Sequence, residues 1–345
     1  FANPDDLQNM ESIPLNHPIS VTVPGAVAGW IELSKKYSNL KIEEILDLGI
    51  ELCHEGFEIN EELYNSLNLH KEELSGQTSG YGFYRDNQPF ETGKMIRRPQ
   101  LGKTLELLKR NGLEYFYDSD ITKSISSSVN GILSFDDLKN FKAEWKKPLH
   151  SKIYGFDGWT SPPSTQGYLT LSTLKAIEML GAEHNDIHRV IETYRIFAAD
   201  RDNITYDYGK NINDFKGVDL DYIQEKIKLF NPNHSEKFDF PKPRGGGTAY
   251  MNTVDKNGLG VSLIQSNFHG IGSRIGVGSF GFFLHNRGCG FNLDSGHPNY
   301  LTPGRKPLHT LSPTIWSKNG NLEFIAGTRG GRYQPQLLIQ TILPY

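Results

Sequence analysis

An α+β fold is the class this sequence predicts, and three observations carry it: apolar residues at helical spacing through the first two thirds, β-rich runs from residue 245 onward, and a helical pattern again at the end. Residues 26–37 and 42–53 each place apolar side chains three and four apart, which predicts two outer helices. The best-marked helix starts at Asp186, a good N-cap residue. Ile187, Val190, Ile191, Tyr194 and Phe197 follow as one apolar stripe, expected to pack flat on a sheet. Residues 249–254 and 260–265 read as strands joined through Asp255, Lys256, Asn257 and Gly258, a hairpin signal. Residues 322–326 read as a further strand and residues 333–342 as a helix. Between the two textures, residues 231–247 are rich in Pro, Asn, Lys and Gly and read as an exposed, flexible connection where a chain could be cut.

The 345 residues suffice for one large domain or two ordinary ones. A net charge of -4, with 22% charged residues, excludes the basic surface that nucleic acid or anionic lipid requires, so a small molecule or peptide is the expected partner. Cys53 and Cys289 form no Cys-x-x-Cys or Cys/His spacing, and His269, His285, His297 and His309 are too widely spaced for a metal template. No cofactor or metal is expected. Gly276, Gly278 and Gly281 match a dinucleotide glycine spacing, but Phe282, Phe283 and Leu284 continue as a strand rather than opening a helix. No apolar run approaches the roughly 20 residues of a membrane span, so the chain reads as soluble, its compartment unassigned. It opens at Phe1 on a polar run with neither an initiator Met nor a signal segment, which suggests a fragment or processed form.

Chemistry concentrates at two glycine runs. Gly245, Gly246 and Gly247 precede Thr248, where the flexible connection meets the first strand. A cut before Thr248 would leave a free α-amino group on the residue that carries the hydroxyl, supplying a base beside Oγ with no separate histidine. Gly330 and Gly331 stand between a strand and a helix, where backbone N–H groups can face a developing oxyanion. Taken singly, each run reads first as a tight structural turn.

The ordered set of motifs narrows this. Gly247 to Tyr250, Val254 to Lys256 and residues 261–267 resemble the start of the small subunit of the γ-glutamyltransferase family. Residues 303–308, Ser312 to Thr314 and residues 327–331 are similar to that family's Pro-Leu turn, Ser-Pro-Thr turn and Gly-Gly segment. Upstream, residues 23–29, Pro162 to Ser164 and Asp200 to Asp202 resemble large-subunit motifs in order and spacing. The resemblance implies a four-layer αββα sandwich of the N-terminal-nucleophile hydrolase type. It also implies a zymogen that cleaves itself between Gly247 and Thr248 into a large-subunit-like part, residues 1–247, and a small-subunit-like part, residues 248–345, which remain one folded unit. Association into a homo-oligomer is left open. In the implied mechanism Thr248 attacks the Gly247 carbonyl during processing and later a γ-glutamyl amide of the glutathione type, forming an acyl-threonine. Gly330 and Gly331 stabilise the oxyanion, Ser266 supports the nucleophile, and water or an amine takes the acyl group.

Substrate contacts are expected from Tyr250, Asn267, Arg287, His309 and Thr310. Here the sequence departs from the family pattern. After Leu284, His285 and Asn286 come Arg287, Gly288, Cys289 and Gly290 with no carboxylate for a substrate ammonium, and His309 and Thr310 replace a pair of serines. Arg287 could instead clamp a carboxylate, or be a solvated loop residue. An acylase acting on another acyl group, or a binding protein that has lost processing, are the alternatives these departures leave.

Overall fold

The computed structural model describes residue 7, residues 10–239 and residues 247–344. Gly245 and Gly246, and the polar opening run apart from Leu7 and Met10, lie outside the described residues. Two compact units emerge. One is built mainly from Ile13–Glu144 and His269–Gly288, the other from Trp145–Phe268 and Cys289–Tyr345. Helices of eight residues or more and strands of five or more are numbered along the chain.

The first unit holds α1 (Ala26–Tyr37), α2 (Ile42–Glu55), α3 (Glu61–Leu69), α4 (Pro99–Asn111) and α5 (Asp120–Ser128). The expected pair of helices is therefore present. No side chain within α1 caps its start; Tyr117 donates to Pro24 O (2.6 Å) and accepts from Ala28 N (3.0 Å), which accounts for the Val-Pro-Gly stretch as a docked helix entrance. α2 stops at Gly56, whose φ of +107° suits glycine alone. Val27, Leu46, Leu108, Ile121 and Ile125 form the core, and Val277 and Leu284 enter it from the downstream segment. Residues 282–284 do not become a strand. They make one isolated bridge, Gly276 to Phe283, because the turn at Gly278–Phe280 and Gly281 at φ +75° break the extended backbone just before them.

The second unit is organised by an antiparallel sheet of β1 (Leu149–Ile153), β2 (Phe156–Thr160), β5 (Thr314–Lys318) and β6 (Asn321–Ala326), in the order β6-β5-β2-β1. At its centre Asp157 pairs with Ser317 and Thr160 with Thr314. A Cβ at Gly158 would stand 2.7 Å from the Trp316 ring and 2.9 Å from Leu171, so this glycine is what lets the indole lie flat on the strand. Over that face lies α6 (Tyr168–Met179), which buries Leu171, Leu174 and Ile177 together with Thr170, Ser172 and Thr173. α7 (Ile187–Ala199) starts at Asp186, which accepts from Arg189 N (3.1 Å). It packs on α6, not flat on the sheet as its apolar stripe suggested. Val190, Tyr194 and Phe197 are buried, whereas Ile187 and Ile191 are 67% and 38% exposed because α6 already occupies the sheet face. α8 (Leu220–Ile227) and α9 (Gln334–Ile342) complete this helical side.

The expected hairpin forms as β3 (Gly247–Val254) and β4 (Gly260–Phe268). Asp255 sets its turn by accepting from Asn257 N and Leu259 N, each at 2.8 Å, with Gly258 at φ +83°. Phe324 stacks on Trp316 (5.5 Å) on the helix side of the sheet, while Ile325 and Leu322 meet Gly260 of β4. The layers within this unit are thus helix, sheet, hairpin. Residues 232–237 of the connection are exposed as expected, yet tied down: buried Glu192 accepts from Glu236 N (2.7 Å), and Arg195 donates to Glu236 O (2.8 Å). Among the described residues no helix is long and apolar enough to cross a membrane.

Candidate active site

Thr248 is the second residue of β3 and stands opposite Ser266 on β4. A bulge lies between Gly247 and Thr248: Gly247 pairs with Phe268, so Asn267 is the extra residue on β4. This local kink turns three polar groups toward one hydroxyl. Ser266 Oγ accepts from Thr248 Oγ1 (3.0 Å) and from Phe268 N (2.9 Å), and donates to Gly247 O (2.9 Å). One donor and two acceptors are the whole capacity of a serine hydroxyl. The Thr248 hydroxyl proton, Ser266 and the carbonyl before Thr248 therefore form one continuous hydrogen-bond chain.

Two residues along β3, Tyr250 leaves the same strand face as Thr248. Its hydroxyl meets Ser262 Oγ (3.2 Å), and its ring covers Gly327, where a Cβ would stand 2.0 Å from the ring carbons. Gly327 follows β6 directly and leads into the Gly-Gly turn. There Gly330 has φ +126° and Gly331 φ +55°, conformations that strain any side-chain-bearing residue. The turn's peptides are pinned: Gly330 O accepts from Tyr333 N (3.0 Å), and Gly331 O from Gln166 Nε2 (2.9 Å). Arg332 donates to Asp202 (3.0 Å), which also receives Arg201 Nε (3.2 Å), so the Asp-Arg-Asp stretch braces the residue after the two glycines.

His309 and Thr310 lie beside this turn in the chain of bonds. His309 N donates to Ser164 O (2.8 Å), and Thr310 O accepts from Gln166 Nε2 (2.8 Å). His309 Nδ1 is 2.7 Å from Pro307 O, which selects the tautomer with its proton on Nδ1. Asn267 is exposed at the bulge. The second unit thus brings together Thr248, Ser266, Tyr250 and Asn267 on the hairpin, and Gly330, Gly331, His309 and Thr310 around Gln166. Gln166, Asp202 and Arg332 as braces were not foreseen; a buried glutamine in an aperiodic Ser-Thr-Gln-Gly stretch leaves no pattern to read.

Arg287 belongs to the first unit, where it is buried rather than solvated. Its backbone N donates to His285 Nδ1 (3.0 Å). Desolvation of the His285 ring, and then the Arg287 charge, push that imidazole down to about 4 from an ordinary 6.5, against hydrogen bonding at the Val23 and Thr22 backbones. The unfolded chain takes up this proton near pH 6.5 and the native one only near 4. His285 therefore contributes full stability above pH 6.5 and loses it as pH falls, at up to about 1.4 kcal/mol per unit. Urea melts at pH 7 and pH 5 should show the drop, and His285→Gln should reduce its slope.

Residues 2–345 match the family described as Gamma-glutamyltranspeptidase. The chain belongs to the gamma-glutamyltranspeptidase family. Within it, similarity extends to the glutathione hydrolase-like YwrD proenzyme of Bacillus subtilis, 29% identical over 96% of this chain and 65% of the relative. It extends equally to the oxamate amidohydrolase proenzyme of Klebsiella pneumoniae, 29% identical over 92% of this chain and 62% of that protein. The chain therefore spans under two thirds of the length of these relatives. The crystal structure of cephalosporin acylase from Bacillus halodurans superposes with a TM-score of 0.86 at 26% identity, over 99% of this chain and 66% of that one. The gamma-glutamyltranspeptidase-family fold, α+β of the N-terminal-nucleophile type, is the one the sequence led us to expect.

Proposed function

We propose that this gamma-glutamyltranspeptidase-family chain is a self-processing threonine amidohydrolase or acyltransferase, and the Thr248–Ser266–Gly247 hydrogen-bond chain carries the reading. In processing, Thr248 Oγ attacks the Gly247 carbonyl carbon. Its proton passes to Ser266 Oγ as the Ser266 proton passes to Gly247 O, so no charge is left on the tetrahedral centre. Collapse breaks the C–N bond, with nitrogen taking a proton, and leaves an ester. Water then hydrolyses it to a Gly247 carboxylate and a free Thr248 amine. The parts are residues 1–247 and residues 248–345.

In turnover the freed amine takes the Thr248 hydroxyl proton while Oγ attacks an acyl amide. Gly330 and Gly331 N–H groups receive the oxyanion, and water or an amine releases the acyl-threonine. Tyr250, Asn267, His309 and Thr310 are the proposed substrate contacts. A γ-glutamyl amide such as glutathione is the first donor to test. The missing carboxylate after Leu284, His285 and Asn286 favours a second reading, an acylase for a donor without an α-ammonium group, in keeping with relatives named for oxamate and cephalosporin.

The test is intact mass and N-terminal sequencing of the full chain after incubation, followed by a screen of γ-glutamyl, oxamoyl and other acyl anilides. A new N-terminus at Thr248 and release of aniline are expected. An uncut chain without turnover would replace the enzyme by a binding protein on the same fold.

A further inference from the structure

We propose that Gln166 is a positioning residue that sets the oxyanion turn against the donor-binding segment, an inference resting on the roles given above to Gly330, Gly331, His309 and Thr310. Gln166 is fully buried. Its Nε2 donates to two carbonyls from different parts of the chain, Thr310 O at 2.8 Å and Gly331 O at 2.9 Å. Both neighbours are acceptors, so the amide has one orientation; turned over, its oxygen would face two carbonyl oxygens. A second rung runs alongside, since Gln334 Oε1 accepts from Ser312 N at 3.0 Å and Gln334 is also fully buried. Residues 310–312 and 331–334 are thereby held by two buried glutamines.

The segment that carries Gln166 is itself fixed by backbone. Ser164 O accepts from His309 N (2.8 Å), and Gln166 N donates to His309 O (3.1 Å). Replacing the side chain leaves these bonds, and with them the place of His309. What is lost is the grip on Gly331. Without it, the carbonyl that ends a turn made of two positive-φ glycines keeps, among the described residues, the Gln334 N–H as its partner. Gln166 Oε1, meanwhile, has no hydrogen-bond partner among the described residues. Burying such an atom carries a desolvation cost that an apolar side chain of the same length would avoid. The two donor bonds are the return for that cost, and what they hold is the Gly331–Arg332 peptide, the plane that closes the turn immediately after the oxyanion-facing N–H groups and so limits how that turn can swing.

The inference separates two reactions of the same nucleophile. During self-cleavage the oxygen in need of support is Gly247 O, which takes its proton from its hydrogen-bond donor Ser266. During turnover it sits at the turn. Gln166→Met, close in length and without polar atoms, is therefore expected to cleave before Thr248 within about threefold of the wild-type rate. Its kcat on the acyl anilide that the wild type hydrolyses should fall about tenfold or more with KM changed less than about threefold, since preorganisation acts on the transition state. Gln166→Glu, which keeps one donor when protonated, should fall between the two and serves if the methionine variant does not fold. Wild-type kcat in either variant would overturn the inference. So would cleavage, kcat and melting temperature falling in step, the mark of a merely structural residue. Wild-type protein that neither cleaves nor hydrolyses any anilide would bring down the reading of the site itself, and is seen in the same experiment before any variant is compared.

Discussion

Thr248→Ala is expected to leave the chain whole on a denaturing gel indefinitely and to reduce anilide hydrolysis to the uncatalysed rate. One oxygen serves both reactions, so the two losses must come together. Alanine keeps the strand, and the Thr248–Ser266 backbone pairing needs no hydroxyl, so melting temperature should change little. The measurement is a gel time course beside an anilide assay. Cleavage before residue 248 in the alanine variant would show that another group attacks Gly247, and hydrolysis without cleavage would remove the free amine from the mechanism.

Ser266→Ala should slow self-cleavage by about 10²- to 10³-fold, the usual effect of removing one hydrogen-bond donor from a developing oxyanion. Three bonds vanish with one hydroxyl: the donor to Gly247 O, the acceptor for Thr248, and the acceptor for Phe268 N. Thr248 then loses the group that takes its proton while the scissile carbonyl loses its polarising partner. Ser266→Thr, which restores the oxygen on the same carbon, should recover most of the rate. Rates of cleavage for wild type and both variants, followed by intact mass, decide it. An alanine variant that cleaves as fast as wild type would make Ser266 an ordinary strand residue.

The parts of this molecule that were legible in its sequence are those that face water on one side. α1 and α2 space their apolar residues at helical period because half of each surface is solvated, and period is what a sequence can show, while the β3–β4 hairpin was marked by its turn residues, Asp255 to Gly258. α6 shows the opposite case. It is buried all round, so serines and threonines mix with leucines and no stripe survives; without it, α7 was set on the sheet that α6 in fact covers. β1 and β2 were missed for a related reason, their short runs being broken by Gly158 and by charged or polar residues such as Lys152 and Asp157. In the candidate site, Thr248 and the two glycines could be singled out from motif order, because each lies at a sharp change of texture. The Ser266 link to Gly247 depends on a bulge, and the Gln166 bridge on residues 144 and 165 positions away, and neither distance leaves a local trace.

The central ladder of the sheet pairs Asp157 and Thr160 with Ser317 and Thr314, and the core of the other unit takes Val277 and Leu284 from the same downstream stretch. Both units are therefore woven from chain on either side of Thr248. A nick at that bond would make the molecule a natural split protein. Its halves would be joined by main-chain bonds between β2 and β5 as well as by apolar packing, so neither half alone has a complete sheet or a complete core to fold around. Producing the two halves as separate genes would then be a poor substitute for letting the single chain fold first; the uncut bond would act as the tether that brings the halves into register, to be dispensed with once they are interlaced.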